Sequence, residues 1–267
     1  IFNSILALVA LLDMYSMINQ VRQTAEIQYS SFLSLYVFAA SVEFVMLLFL
    51  VPAMTAGSIS GERERRTLNL LLTTKMTAGD VVIGKLAAIL STILLLIVSS
   101  FPILALVFIY GGITILDAAL LLLCYVTTAF LTGSIGVFCS AYFRKSTIAT
   151  VASYCITVLL SLGTVAAYEL SGVLGHGSGS NGSSGFFYLM LFNPGATFRS
   201  VLSSQIGVGN EIADFFPWLE QGPVSFVSEH WMLFGTVTQI GLAVVLVWLA
   251  VRKVEPVKRS AKRRTKQ

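Results

Sequence analysis

Charge is what this sequence has least of. Only 11% of its 267 residues are Asp, Glu, Lys or Arg, against 56% hydrophobic, and its mean hydropathy is +0.84. Soluble domains carry roughly 25% charged residues, so a single water-facing core is excluded and lipid is the expected solvent. Histidine is almost missing too. His176 and His230 are the only two, and both fall in or beside one loop, which leaves no intramembrane catalytic cluster. The three cysteines, Cys124, Cys139 and Cys155, sit inside apolar runs in neither a disulfide nor a zinc pattern, and read as small packing residues.

What is present is long apolar runs. Spanning helices need about 20 such residues, and five runs qualify: Phe32–Gly57, Leu86–Ile109, Ala118–Ser140, Ile148–Leu170 and Met232–Val251. A sixth, Ile1–Leu12, is short and reads as a span cut at its start; it has no basic leader or small-residue cleavage site. Six spans are therefore expected, as one transmembrane domain over residues 1–251 with a basic tail over 252–267. Fifteen of the 17 basic residues, all except Arg22 and Arg199, then fall on one side. By the positive-inside rule that side is the cytoplasm, so both termini are cytoplasmic.

Residues 79–85 read GDVVIGK, close to the phosphate loop of nucleotide hydrolases. The loop's Ser/Thr hydroxyl holds magnesium, but Leu86 stands there and opens a spanning run. Thr77 and Asp80 have capping-box spacing instead, so an ATPase site on this chain is rejected.

The densest polar signal is Ser58–Lys85, SISGERERRTLNLLLTTKMTAGDVVIGK. A charged cluster leads into an apolar stripe, Leu68, Leu71 and Leu72, and breaks at Thr73-Thr74. Glu62 and Arg66 are spaced for a helical ion pair. A helix over about 61–73 would lie on the membrane surface, leucines inward and charges outward. The competing reading is a solvated juxtamembrane loop, which leaves Glu62 and Glu64 unexplained.

From Pro52 to Lys85 the sequence resembles the signature region of type-2 ATP-binding-cassette (ABC) exporter permeases. The residues carrying this are Pro52, Ala53, Ala56, Glu62, Glu64, Thr67, Leu68, Leu71, Leu72, Gly84 and Lys85. The six-span layout, with a long external loop before the last span, extends the resemblance to the whole chain. Two positions depart from the pattern: Arg66 stands where glycine is usual, and Lys75 where proline is usual. The resemblance implies an all-α permease subunit with no cofactor of its own, in a cell membrane, expected to be a bacterial plasma membrane. Separate ATP-binding subunits, holding ATP and magnesium, would dock on Glu62, Arg63, Glu64, Arg65, Arg66, Thr67, Leu68 and Leu71. The Ala141–Ser146 turn, with Arg144 and Lys145, is the natural second contact. A second permease subunit, identical or homologous, would complete the path.

Several polar residues fall inside the spans. Glu43, in the second, is either a path or cation contact, which an ion-coupled secondary transporter would also need, or a buried helix bond. No internal symmetry of broken helices supports that rival. Thr147, Thr150, Ser153, Thr157, Ser161, Thr164 and Tyr168 form a stripe along the fifth span. It suits a path lining, which the resemblance assigns to the second and fifth spans, or inter-helix bonding. Thr128, Thr132, Gly136 and Ser140 recur every four residues in the fourth span and read as close packing.

Residues 171–231 are expected outside. Ser171–Gly185 is Gly/Ser-rich flexible chain, containing His176 and an Asn181-Gly-Ser sequon. Asn193-Pro194 reads as an N-cap with Pro at the first helical position. The helix to Gln205 is too short to span, and the resemblance implies a re-entrant pair here. Phe215, Phe216, Trp218, Phe226 and Trp231 are expected at the outer headgroups. The tail's basic residues suit anionic lipid; without interleaved aromatics they give no reason to expect nucleic acid.

Overall fold

The computed structural model describes residues 29–67, 77–110, 114–167, 188–206 and 230–255, with scattered residues between 4 and 19, Leu170 and Val227. Its elements are α1 (Tyr29–Thr55), α2 (Ser60–Glu64), α3 (Ala78–Tyr110), α4 (Ile115–Tyr142), α5 (Ser146–Val158), a π-turn (Leu159–Gly163), a 3₁₀ turn (Met190–Phe192), α6 (Pro194–Ile206) and α7 (Trp231–Val254). No strand occurs among the described residues. The described residues between 4 and 19 are helical, and most are exposed.

Among the described residues, five helical stretches are long and apolar enough to cross a membrane. Each contains or matches an expected run. α1 has 27 residues, about 40 Å at 1.5 Å per residue, more than the roughly 30 Å hydrocarbon core. Leu95, Leu159, Leu162 and Val237 are each about two-thirds exposed or more, which suits lipid contact and would be a liability in water.

α3 begins eight residues before its apolar run because Thr77 and Asp80 do cap it. The Asp80 carboxylate accepts from the Thr77 N–H at 2.9 Å, and Thr77 Oγ1 accepts from the Asp80 N–H at 3.2 Å. Thr114 and Asp117 repeat the same reciprocal box at the start of α4. Residues 79–85 thus lie wholly within the first turns of α3. They are helix, not a phosphate-cradling loop.

α4 is the central post, packing against α7, α1, α5, α3 and α6. Half of its apolar window is buried, against 17% for the stretch containing α5. Small residues permit the close approach. A Cβ on Gly136 would overlap Thr55 Oγ1 and stand 3.3 Å from the Ala56 nitrogen. Thr128, Thr132 and Ser140 are fully buried. Close packing along this stripe, expected from the spacing, is what the helix does.

Of the four apolar cores among the described residues, two position the site. One joins α1, α3, α4 and α6 through Leu47, Ile93, Tyr125 and Phe198. The other sits at one end of the bundle and joins Ile59, Ala78, Leu86, Val137, Ala141, Ala250 and Val254. It gathers the end of α1, the start of α3 and the ends of α4 and α7. The described basic residues other than Arg199 lie on or beside these elements, at the basic end of the bundle.

Candidate functional site

The basic end is built around an elbow. α1 stops at Thr55, whose hydroxyl bonds back to the Val51 carbonyl at 2.8 Å. A turn through residues 56–59 redirects the chain into α2. Such a start leaves backbone N–H groups without intrahelical partners. Ser140 of α4 supplies one: its Oγ accepts from the Ile59 N–H at 2.8 Å and the Ser60 N–H at 2.9 Å.

The end of α2 corrects an expectation. The helix was expected over about 61–73, but it stops at Glu64. Arg66 turns left-handed at φ 59°. Its N–H donates to the Arg63 carbonyl, and the Thr67 N–H donates to Glu62 at 3.0 Å. These bonds form a Schellman motif, with Arg66 at the position that favours glycine. The departure noted in the sequence therefore has a location: a bulky residue occupies a left-handed site where only glycine escapes Cβ crowding. Leu68, Leu71, Leu72 and Lys75 lie outside the described residues.

The Glu62–Arg66 pair is likewise absent, because the helix ends between them. Glu62 pairs with Lys85 of α3 instead, and the same ammonium donates to the Ser58 carbonyl. Glu64 reaches α5: its carboxylate accepts from the Ser146 N–H at 3.2 Å and the Ser146 hydroxyl at 2.6 Å. An acid at a helix start also meets the favourable end of the dipole. Arg63 donates to the Ala141 carbonyl at 3.0 Å.

The elbow and the 143–145 turn therefore form one joined surface. Both glutamates are engaged within the chain. Arg65, Arg66, Thr67, Arg144 and Lys145 are exposed, and Arg144 lies near enough to Arg63 for their charges to interact. What this face offers is a patch of positive charge at the end of a short, braced helix and on the adjoining turn. Guanidinium groups there can take carboxylates in charge-assisted bonds.

The sequence of the family described as "ABC-2 family transporter protein" matches residues 1–254. The chain belongs to the ABC-2 transporter family. Comparison with curated proteins finds no match. Membership makes this a multi-pass membrane component of the ABC-2 permease type, a kind that works with ATP-binding-cassette components.

The intramembrane candidates of this ABC-2 permease separate into two groups. Glu43 is fully buried, facing the α1–α3–α4–α6 core, and Ser100 Oγ donates to its Oε1. Its Oε2 has no partner among the described residues. Nearby, Tyr36 donates to Gln205 of α6 at 2.7 Å and Tyr125 donates to the Ala40 carbonyl at 2.9 Å. These bonds tie α1 to its neighbours within the same chain.

The α5 stripe behaves differently. Ser153 and Thr157 are buried, and Ser161 and Thr164 half-buried. Thr150, Thr157 and Thr164 donate back to carbonyls four residues earlier in their own helix. Such bonds satisfy a hydroxyl without a neighbour.

The stripe's outside contact comes from Asn193, which is the N-cap expected of it: Oδ1 accepts from the Gly195 N–H at 2.8 Å. Its amide also donates to the Ser161 carbonyl and to Thr164 Oγ1, both at 2.8 Å. Ser161 lies in the π-turn, where register changes free backbone carbonyls. Gln239 of α7, fully buried, donates to Thr197 Oγ1 at 2.7 Å. Sequence reasoning missed Gln239, and it read Ser140 as a packing residue without its capping role. An amide inside an otherwise apolar span was the available signal for the first; a terminal serine gave none for the second.

Proposed function

We propose that this chain is the membrane subunit of an ATP-driven exporter. It acts as a dimer, with itself or a homologue, and the two subunits enclose the substrate path. ATP and magnesium bind on separate ATP-binding-cassette subunits. Those subunits dock on the basic end, which faces the cytoplasm in a six-span arrangement with both termini inside. The observation that carries the reading is the joined elbow: α2 braced on α4 and α5, with Arg65, Arg66, Arg144 and Lys145 outward. A short helix tied at both ends transmits displacement, and a loose loop would not.

The reading places the coupling role on Glu62, Arg63, Glu64, Arg65, Arg66, Thr67, Leu68, Leu71, Arg144 and Lys145. Within that set the glutamates brace and the exposed cations contact. Co-purification with co-expressed ATP-binding-cassette subunits tests it. Native chain retains them and raises their ATPase activity; a quadruple charge reversal at Arg65, Arg66, Arg144 and Lys145 loses them while remaining in the membrane. No association by native chain would sink the exporter reading. The alternative is then an ion-coupled transporter using Glu43, favoured by its buried, unpartnered Oε2. Replacing Glu43 with Gln would abolish ion-dependent uptake in that case.

A further inference from the structure

We propose that Ser140 is the positioning residue that seats the elbow on α4, so that the elbow and the 143–145 turn move as one body. The inference rests on the exporter reading for its consequence, but its geometry stands by itself. A serine hydroxyl has one proton to give and two lone pairs to accept with. Ser140 uses all three: it accepts from the Ile59 and Ser60 N–H groups and donates to Ser60 Oγ at 3.3 Å. It is fully buried, so no water can replace it.

Those two N–H groups open α2 and have no carbonyl four residues back to use, because the chain there is turning out of α1. The cap is supplied from 80 residues away in sequence. One turn earlier on the same face of α4, Gly136 lets Thr55 and Ala56 approach to contact. Gly136 permits the approach and Ser140 fixes its register. Arg63 to Ala141 and Glu64 to Ser146 continue the same seam. Both of those are partly or wholly exposed bonds, which water can replace. Ser140 alone among them cannot be replaced by solvent.

The test uses the complex of the full chain with its ATP-binding subunits in lipid nanodiscs, comparing native chain, Ser140→Ala and Ser60→Ala. Ser60→Ala removes a hydroxyl from the same contact but leaves both N–H bonds to Ser140. Hydrogen exchange at the Ile59 and Ser60 amides should quicken about tenfold or more in Ser140→Ala, because an unpaired buried donor loses its protection. Ser60→Ala should exchange as native. Ser140→Ala should still co-purify with the ATP-binding subunits, since the exposed cations are untouched, yet lose severalfold of the permease-dependent ATPase activity. Native exchange and native ATPase in Ser140→Ala would overturn the proposal, as would equal effects from Ser60→Ala, which would mean packing alone. Where Ser140→Ala fails to assemble, Ser140→Cys carries the same expectation, because its sulfur is a weak acceptor. If native chain binds no ATP-binding subunit, the exporter reading fails, and the amide exchange of the chain alone still decides the seat.

Discussion

Replacing Asn193 with Ala should cost this protein about 3 kcal/mol. The side chain is 1% exposed and makes three bonds to three different partners. Losing the N-cap on α6, the bond to the Gly195 N–H, costs about 1 kcal/mol. The two amide bonds, to the Ser161 carbonyl and Thr164 Oγ1, are worth about 1 kcal/mol each. The three share one side chain, so they are removed together and their sum is an upper-middle figure. A graded series separates them. Asn193→Ser should keep most of the cap and lose the longer reach to α5, costing roughly 2 kcal/mol. Thermal unfolding in nanodiscs gives the readout, at about 2–4 °C per kcal/mol for a chain of this size. A fall of less than about 2 °C for Asn193→Ala would refute the reasoning, because it would mean that α6 and the π-turn are held by apolar packing.

Arg66→Gly should stabilise the elbow by about 1 kcal/mol, since it removes Cβ crowding from a left-handed position; slower proteolysis between α2 and α3 reads it, and faster cleavage would contradict it. Gly136→Ala should destabilise by about 1–3 kcal/mol through overlap with Thr55. Thr55→Ala should rescue only part of that loss, because Thr55 Cβ itself stands 2.8 Å from the added methyl. Full rescue in the double variant would show that the hydroxyl was the whole obstacle.

The spans were legible because lipid imposes a length and a composition that few other constraints imitate. Thr77 with Asp80 and Asn193 with Pro194 were legible because a cap is a local matter, settled within three residues. The extent of α2 was not. Its end depends on Arg66 taking a conformation that its own side chain disfavours, so propensity pointed the wrong way. The true partners of Glu62 and Glu64 were hidden for another reason. Lys85 and Ser146 lie 23 and 82 residues away, and a pairing at i, i+4 was nearer to hand. Ser140 was read as packing, which it is, but its hydroxyl serves a segment that only the fold brings beside it.

α5 carries the most polar stripe of any span and is also the least buried, and the two facts have one cause. In lipid, bringing apolar helix faces together gains little, because the tails they displace are equally apolar. A helix with little buried area must therefore be held by bonds at chosen points. α5 has three such points. Glu64 takes its first turn through Ser146, Tyr154 donates to the Phe49 carbonyl of α1 at 2.8 Å, and Asn193 takes the π-turn. Ser146 and Ser161 are fifteen residues apart, about 22 Å along a helix. The elbow and the N-terminus of α6 are thus joined to opposite ends of one lightly packed rod. Thr150, Thr157 and Thr164 bond back to their own helix. Between those ends only the Tyr154 hydroxyl bonds another helix among the described contacts, so this span is restrained along its length at one point, where a helix pinned throughout by inter-helix hydrogen bonds is restrained at every turn.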